Sequence, residues 1–181
     1  VLRAENAELV VRSGEASGGG MWSPNQTCGI AFDRGATFTD SHVTVYAGDS
    51  DRKSIGIFAN STGAPALTVN GGRLEVRSGH PMSETAVVRA IDLSGALRTE
   101  AGSGAEIIAT NGGAKQAAIT AAGGITGFDY AGGVNTEKST ATALYANKDN
   151  DFMLTLTAQK SATSGGSTGG STGGNSGGSG G

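Results

Sequence analysis

The sequence predicts an all-β chain, a right-handed parallel β-helix (solenoid) of about five coils followed by a Gly/Ser/Thr-rich linker. Three observations lead there. Four segments repeat, Glu8–Gly14, His42–Gly48, Arg73–Gly79 and Glu106–Gly112, with starts 34, 31 and 33 residues apart. Each segment places aliphatic residues at alternate positions, the fourth more loosely, and runs into a glycine, the signature of a half-buried strand entering a turn. No stretch sustains the three- and four-residue recurrence of a helix.

The elements follow in order. The recurring strand carries Leu9 and Val11, Val43 and Val45, Leu74 and Val76 on one face, with Ile107 and Ala109 as a looser fourth pair. A short strand precedes it in three units, at 36–39, 66–69 and 96–99, and the chain turns between the two on Asp, Asn, Ser and Gly, the residues turns favour. A third strand follows a variable connection, at 29–32, 56–59, 89–92 and 118–121. A β-sandwich would use turns such as Asn70-Gly71-Gly72 as hairpins and would leave the unit-to-unit likeness accidental. Coils stacked about 4.8 Å apart require equivalent chemistry at a near-constant period, and the repeat decides for them. After Thr120 the pattern decays, and 125–160 is read as the last coil and its cap, since a solenoid must cover its open end. Five coils make a stub about 24 Å long, so more coils are expected before Val1.

Glycine divides the chain into domains. Of 32 glycines in 181 residues, ten lie between Ser164 and Gly181. That tail has nothing apolar to offset ordering entropy, so 164–181 is expected to be a flexible tether and 1–163 the folded β-helix domain. The excess that remains in 1–163 implies many positive-φ turns or close backbone approaches. Further domains are expected beyond Gly181, because such a tether joins a domain to a neighbour or an anchor.

The coil Gly63-Ala64-Pro65-Ala66-Leu67-Thr68-Val69-Asn70-Gly71-Gly72-Arg73-Leu74-Glu75-Val76-Arg77-Ser78-Gly79, with Gly35–Val45 beside it, resembles the "ALTVNGGxLTVxSG" coils of large bacterial cell-surface and secreted proteins built from right-handed parallel β-helix repeats. The likeness covers roughly residues 1 to 125. It implies an extracellular chain, secreted or surface-anchored, acting as a structural or adhesive module, with glycans or host and cell-surface proteins as partners. Some relatives of that kind are carbohydrate-binding, and others on the same scaffold are polysaccharide lyases or hydrolases. No catalytic motif accompanies the coil consensus.

Composition narrows the partners. A net charge of -3 with 13 Lys and Arg gives no polycationic face for nucleic acid. No run approaches the 18 apolar residues of a membrane span, so no direct membrane insertion is expected in this segment. Cys28 is the single cysteine, which excludes a disulfide framework within the chain and reads as a small buried hydrophobe.

Sugar binding would use aromatic platforms, and the candidate ligand-binding residues are Trp22, in the loop after the first recurring strand, and Tyr46, at an outward parity beside Val45. The competing reading of Trp22 is a ring folded back over the N-terminal coil. Phe32, Phe38 and Phe58 read as core. The weak Ca²⁺ candidates are Asn147, Asp149 and Asp151, oxygen side chains at alternate positions. They lack the glycine and the distal Glu of a calcium loop, and Phe152 occupies the Glu position, so a polar turn competes with that reading. An acid-polysaccharide enzyme would need carboxylates and a base in one groove, for which Asp33, Arg34 and the run Asp49–Lys53 are the nearest match, joined by Glu75 and Asp92 if the coils stack in phase. Their other reading is solvated loops. His42 and His80, the only histidines, have no nucleophile-elbow motif nearby. The variable loops at 15–27, 47–54 and 79–88 present the contact surface.

Overall fold

The computed structural model describes residues 1–17, 25–113 and 116–162. Trp22 and the tail from residue 163 onward lie outside them. In chain order the strands are β1 (Leu2–Glu5), β2 (Glu8–Arg12), β3 (Gln26–Ala31), β4 (Ala36–Tyr46), β5 (Lys53–Ala59), β6 (Leu67–Arg77), β7 (Val87–Leu93), β8 (Leu97–Arg98), β9 (Glu106–Thr110), β10 (Ile119–Ala121), β11 (Ile125–Thr126), β12 (Phe128–Gly132), β13 (Ala143–Leu144) and β14 (Met153–Ala158). They form a parallel β-solenoid of about four turns, 54% strand and 2% helical.

Each coil has three sides. Two belong to one nine-stranded sheet, because β4 and β6 each run for 11 residues around a bend. The bend is where two short strands are expected from the sequence. Asp40 takes a φ of 45° in β4, and Gly71 and Gly72 take 82° and 70° in β6, so the chain turns inward without breaking its ladder. Left-handed backbone of this kind is nearly free for Gly and tolerated by Asp, which explains the Asp-Ser and Asn-Gly-Gly at these corners. The third side is a five-stranded sheet, β13-β10-β7-β5-β3, parallel except for its last pairing.

The stacking brings like onto like. Leu9, Val43, Leu74 and Ile107 share one position, and Val11, Val45, Val76 and Ala109 another. On the five-stranded sheet Ile30, Ile57, Ile91 and Ile119 form a column of isoleucines that ends on Leu144. These columns meet in one continuous core. Each such side chain, taken fully out of water, contributes about 1.5–3 kcal/mol.

At the corner after the recurring strand stand Gly14, Gly48, Gly79 and Gly112, and the need there is space. None of the four has a positive φ. A Cβ on Gly79 would lie 2.2 Å from the carbonyl oxygen of Gly48, and one on Gly112 would lie 2.1 Å from that of Gly79. The side chain before three of these glycines, Ser13, Ser78 and Asn111, ties the coils together. The Gly112 N–H donates to Ser78 Oγ at 2.9 Å, and Ser78 Oγ donates to Asn111 Oδ1 at 3.1 Å. The Gly48 N–H donates to Ser13 Oγ at 3.2 Å. Ala47 has no hydroxyl for the next step, and Ser54 supplies it instead, accepting the Gly79 N–H at 2.8 Å.

Residues 125–160 close the solenoid, and only β11 continues the parallel stack as a start on the fifth coil. β14 then runs antiparallel onto β9, β12 antiparallel onto β14, and β13 antiparallel onto β10. Leu154 and Leu156 seal the core from above Ala109 and Ile107.

Candidate functional site

A concavity of about 480 Å³ lies on the outer face of the five-stranded sheet. Ile57 and Ala59 point into the core, so alternation turns Phe58 outward, and it stacks in register with Asp92, Thr120 and Ala143 on successive coils. Phe58 is therefore a surface aromatic, contrary to the core position its sequence suggests. Lys53 begins the same strand and sets its Nζ 3.9 Å from the centre of the Phe58 ring, a cation–π contact. Arg89 and Asp92 lie three residues apart on β7, and Arg89 Nη1 donates to Asp92 Oδ1 at 3.0 Å. Thr120 Oγ1 donates to the same oxygen at 2.6 Å. Arg89 Nε is buried and has no hydrogen-bond partner among the described residues. Two cations face one carboxylate here, leaving one positive charge uncompensated in a groove with an aromatic wall.

The sequence-derived candidates fall elsewhere. Tyr46 ends β4 on the outer face of the large sheet, in register between Arg12 and Arg77, with the Arg12 guanidinium 4.2 Å from its ring centre. Its partner in the proposed sugar platform, Trp22, is outside the described residues. Arg77 and His80 open onto a second concavity of about 430 Å³ with Asn111 and Asp151. Asn147 precedes a 3-10 turn, Lys148–Asn150, that contains Asp149 and is closed by Asp151 with a φ of 50°. The Asn147 amide donates to the Val134 carbonyl at 3.3 Å, as a residue anchoring a polar turn does. Among the described residues no three His, Cys, Asp or Glu side chains gather as a metal site.

The acidic candidates do not converge. Asp33 and Arg34 lie between β3 and β4, whereas Asp49–Arg52 lie between β4 and β5, at the opposite end of the five-stranded sheet. Asp49 accepts the His80 N–H at 2.7 Å and Asp51 accepts the Asn25 amide at 2.8 Å. Glu75 stands on the nine-stranded sheet and Asp92 on the other, so the stacking phase separates them. Glu75 and Glu106 both meet Arg73, at 3.7 and 3.5 Å. Exposed pairs of this kind contribute about 0–1 kcal/mol.

Cys28 stands in β3, in register with Ile55, and its thiol donates to the Ile30 carbonyl at 3.3 Å. Burial pushes its thiol up from the ordinary 9.0, and Lys53 pulls it part of the way back. It is a protonated thiol at neutral pH, not a nucleophile.

No protein-family profile, curated protein or solved structure matches this chain.

Proposed function

We propose that this chain is a structural or adhesive extracellular module of a bacterial surface protein, whose stacked coils hold outward side chains at fixed spacing for contact with a glycan or a host cell-surface protein. The observation that carries it is the ordered outer groove, where Lys53, Phe58, Arg89, Asp92 and Thr120 come from three different coils. Such a surface needs no moving part, because the interior columns fix the backbone beneath it. The bacterial, extracellular setting rests on the coil resemblance.

A carbohydrate-binding module is the second reading, favoured by the Phe58 ring beside hydrogen-bonding groups of both signs. The lyase or hydrolase alternative has less support, since Glu75 and Asp92 lie on different faces. A glycan-array screen with and without Ca²⁺ tests these readings. Specific binding lost on Phe58→Ala or Arg89→Gln, with the fold intact by circular dichroism, supports the groove. Binding lost on Tyr46→Ala moves the contact to the large sheet, and binding lost on Trp22→Ala moves it to the connection after the first recurring strand. Turnover of an acidic polysaccharide overturns both non-enzymatic readings.

A further inference from the structure

The two cations of the outer groove are held by apolar packing as much as by opposite charge. Gly56 faces the interior, since a Cβ on it would lie 2.3 Å from Val76 Cγ1 in the core. Ile55, one residue earlier, therefore faces outward, in register with Cys28 and Arg89. It is nevertheless only 1% exposed, and it does not belong to the core. Lys53 precedes it by two residues on the same side of β5, and its Nζ reaches the Phe58 ring beyond Ile55. The stems of Lys53 and Arg89 thus roof an apolar patch, and both residues line the groove.

One of these cations has no counter-ion. Arg89 is paired with Asp92 through Nη1. Lys53 forms no ion pair, although every Asp and Glu of the chain is among the described residues. A half-buried ammonium gives up part of its hydration, and a ring face returns only some of it, so the site favours an anion. We infer that the groove binds an acidic glycan, with the carboxylate of a uronic acid seated between Lys53 Nζ and the Arg89 guanidinium. This names the ligand class of the glycan contact proposed above and rests on that reading. A carboxylate is planar and accepts hydrogen bonds from a guanidinium edge and an ammonium together. The apolar patch beneath keeps water from one side of the pair and strengthens the attraction. Asp92 Oδ1 takes both Arg89 and Thr120, while Oδ2 makes no hydrogen bond among the described residues and remains to accept from a sugar hydroxyl. One surplus positive charge matches one carboxylate per sugar. The net charge of -3 on the whole chain opposes a densely sulfated polymer. The volume of about 480 Å³ falls in the range of about 300–1,000 Å³ that small-ligand sites occupy.

Isothermal titration of the full chain at low salt tests it with three matched probes. They are a glucuronate-containing tetrasaccharide, the same chain with its carboxyls reduced to primary alcohols, and the reduced chain carrying sulfate esters on those alcohols. The uronate is expected to bind about tenfold or more tightly than the reduced chain, and to lose that advantage as salt rises. Lys53→Met keeps an apolar stem over Ile55 and removes the charge. It is expected to lower uronate affinity to that of the reduced chain and to leave the reduced chain's own affinity unchanged, with the solenoid intact by circular dichroism. Equal binding of the uronate and reduced chains overturns the inference and leaves the glycan-binding groove standing. So does tighter binding of the sulfated chain, or uronate binding that Lys53→Met does not alter. Failure of all three probes, with a glycan array that shows no binding, overturns the inference and the carbohydrate-binding reading together.

Discussion

The two ends of the solenoid treat one problem in opposite ways. Leu9 and Leu156 occupy the two ends of a single column, separated by Val43, Leu74 and Ile107. At the C-terminal end an antiparallel strand lies over the column, and Leu156 has no exposed surface. At the N-terminal end Leu9 is half-buried and, among the described residues, β2 pairs on one side only. A parallel stack does not terminate itself, since every coil offers the next the same edge and apolar face. Reversing the chain direction, as β14 and β12 do, stops that propagation.

Paired substitutions sharpen the contrast. The largest difference is expected at the column ends. Leu156→Ala should cost about 3 kcal/mol, as a large-to-small change in a sealed core, and Leu9→Ala about 1 kcal/mol, as a change at a half-buried position. Chemical denaturation of both variants measures the gap, and equal costs would mean that the N-terminal end is sealed as well. The corner glycines come next. Gly79→Ala forces a methyl group against the Gly48 carbonyl and should cost about 2 kcal/mol, roughly 4–8 °C in Tm for a domain of this size. Gly14→Ala meets nothing within 4 Å and should leave Tm unchanged. The two glycines end identical Arg-Ser-Gly sequences, so only position in the stack separates them. Ser78→Ala removes a buried hydroxyl that serves two partners and should cost about 1–2 kcal/mol, more than Ser13→Ala at the open end.

The smallest effect is a pH dependence. Folding raises the Cys28 thiol above 9.0, so the native state holds this proton more tightly than the unfolded chain. Its contribution to stability is fully present below pH 9.0 and falls as pH rises through the native value. Cys28→Ala should flatten the alkaline limb of the stability profile. Alkylation of Cys28 should remain slow at neutral pH and rise only in strongly alkaline solution, followed with iodoacetamide.

How much of this was legible in the sequence depended on whether one strand or several coils carried the information. The aliphatic columns of the recurring strand, the recurring glycine and the need for a cap followed from period and spacing. The bend in β4 and β6 reads from sequence as a gap between strands because turn-forming residues mark it, yet one left-handed residue in β4 and two in β6 let the ladder continue. The orientation of Phe58 was misread because Ile57, Phe58 and Ala59 are all apolar, so the unit alone leaves its phase open. Alignment of Ile57 with Ile91 and Ile119 fixes it, and the same alignment places Phe58, Asp92 and Thr120 in one outward column. That signal was present and went unused. Lys53 and Arg89 could not be added to it, because their approach depends on side-chain conformations that no spacing encodes. Tyr46 was placed correctly by parity, but Arg12 above its ring comes from the preceding coil.

The corner ladder also sets how the rod would respond to force. Tension along its axis loads the hydrogen bonds between coils lengthwise and one coil at a time, so the molecule should unzip instead of shearing. Positions in register on neighbouring coils are 27 to 34 residues apart, and each coil that peels away adds about 90–120 Å of extended chain. Pulled between its ends in a force spectrometer, the protein should give a sawtooth of small steps, one per coil, that meets the antiparallel cap last.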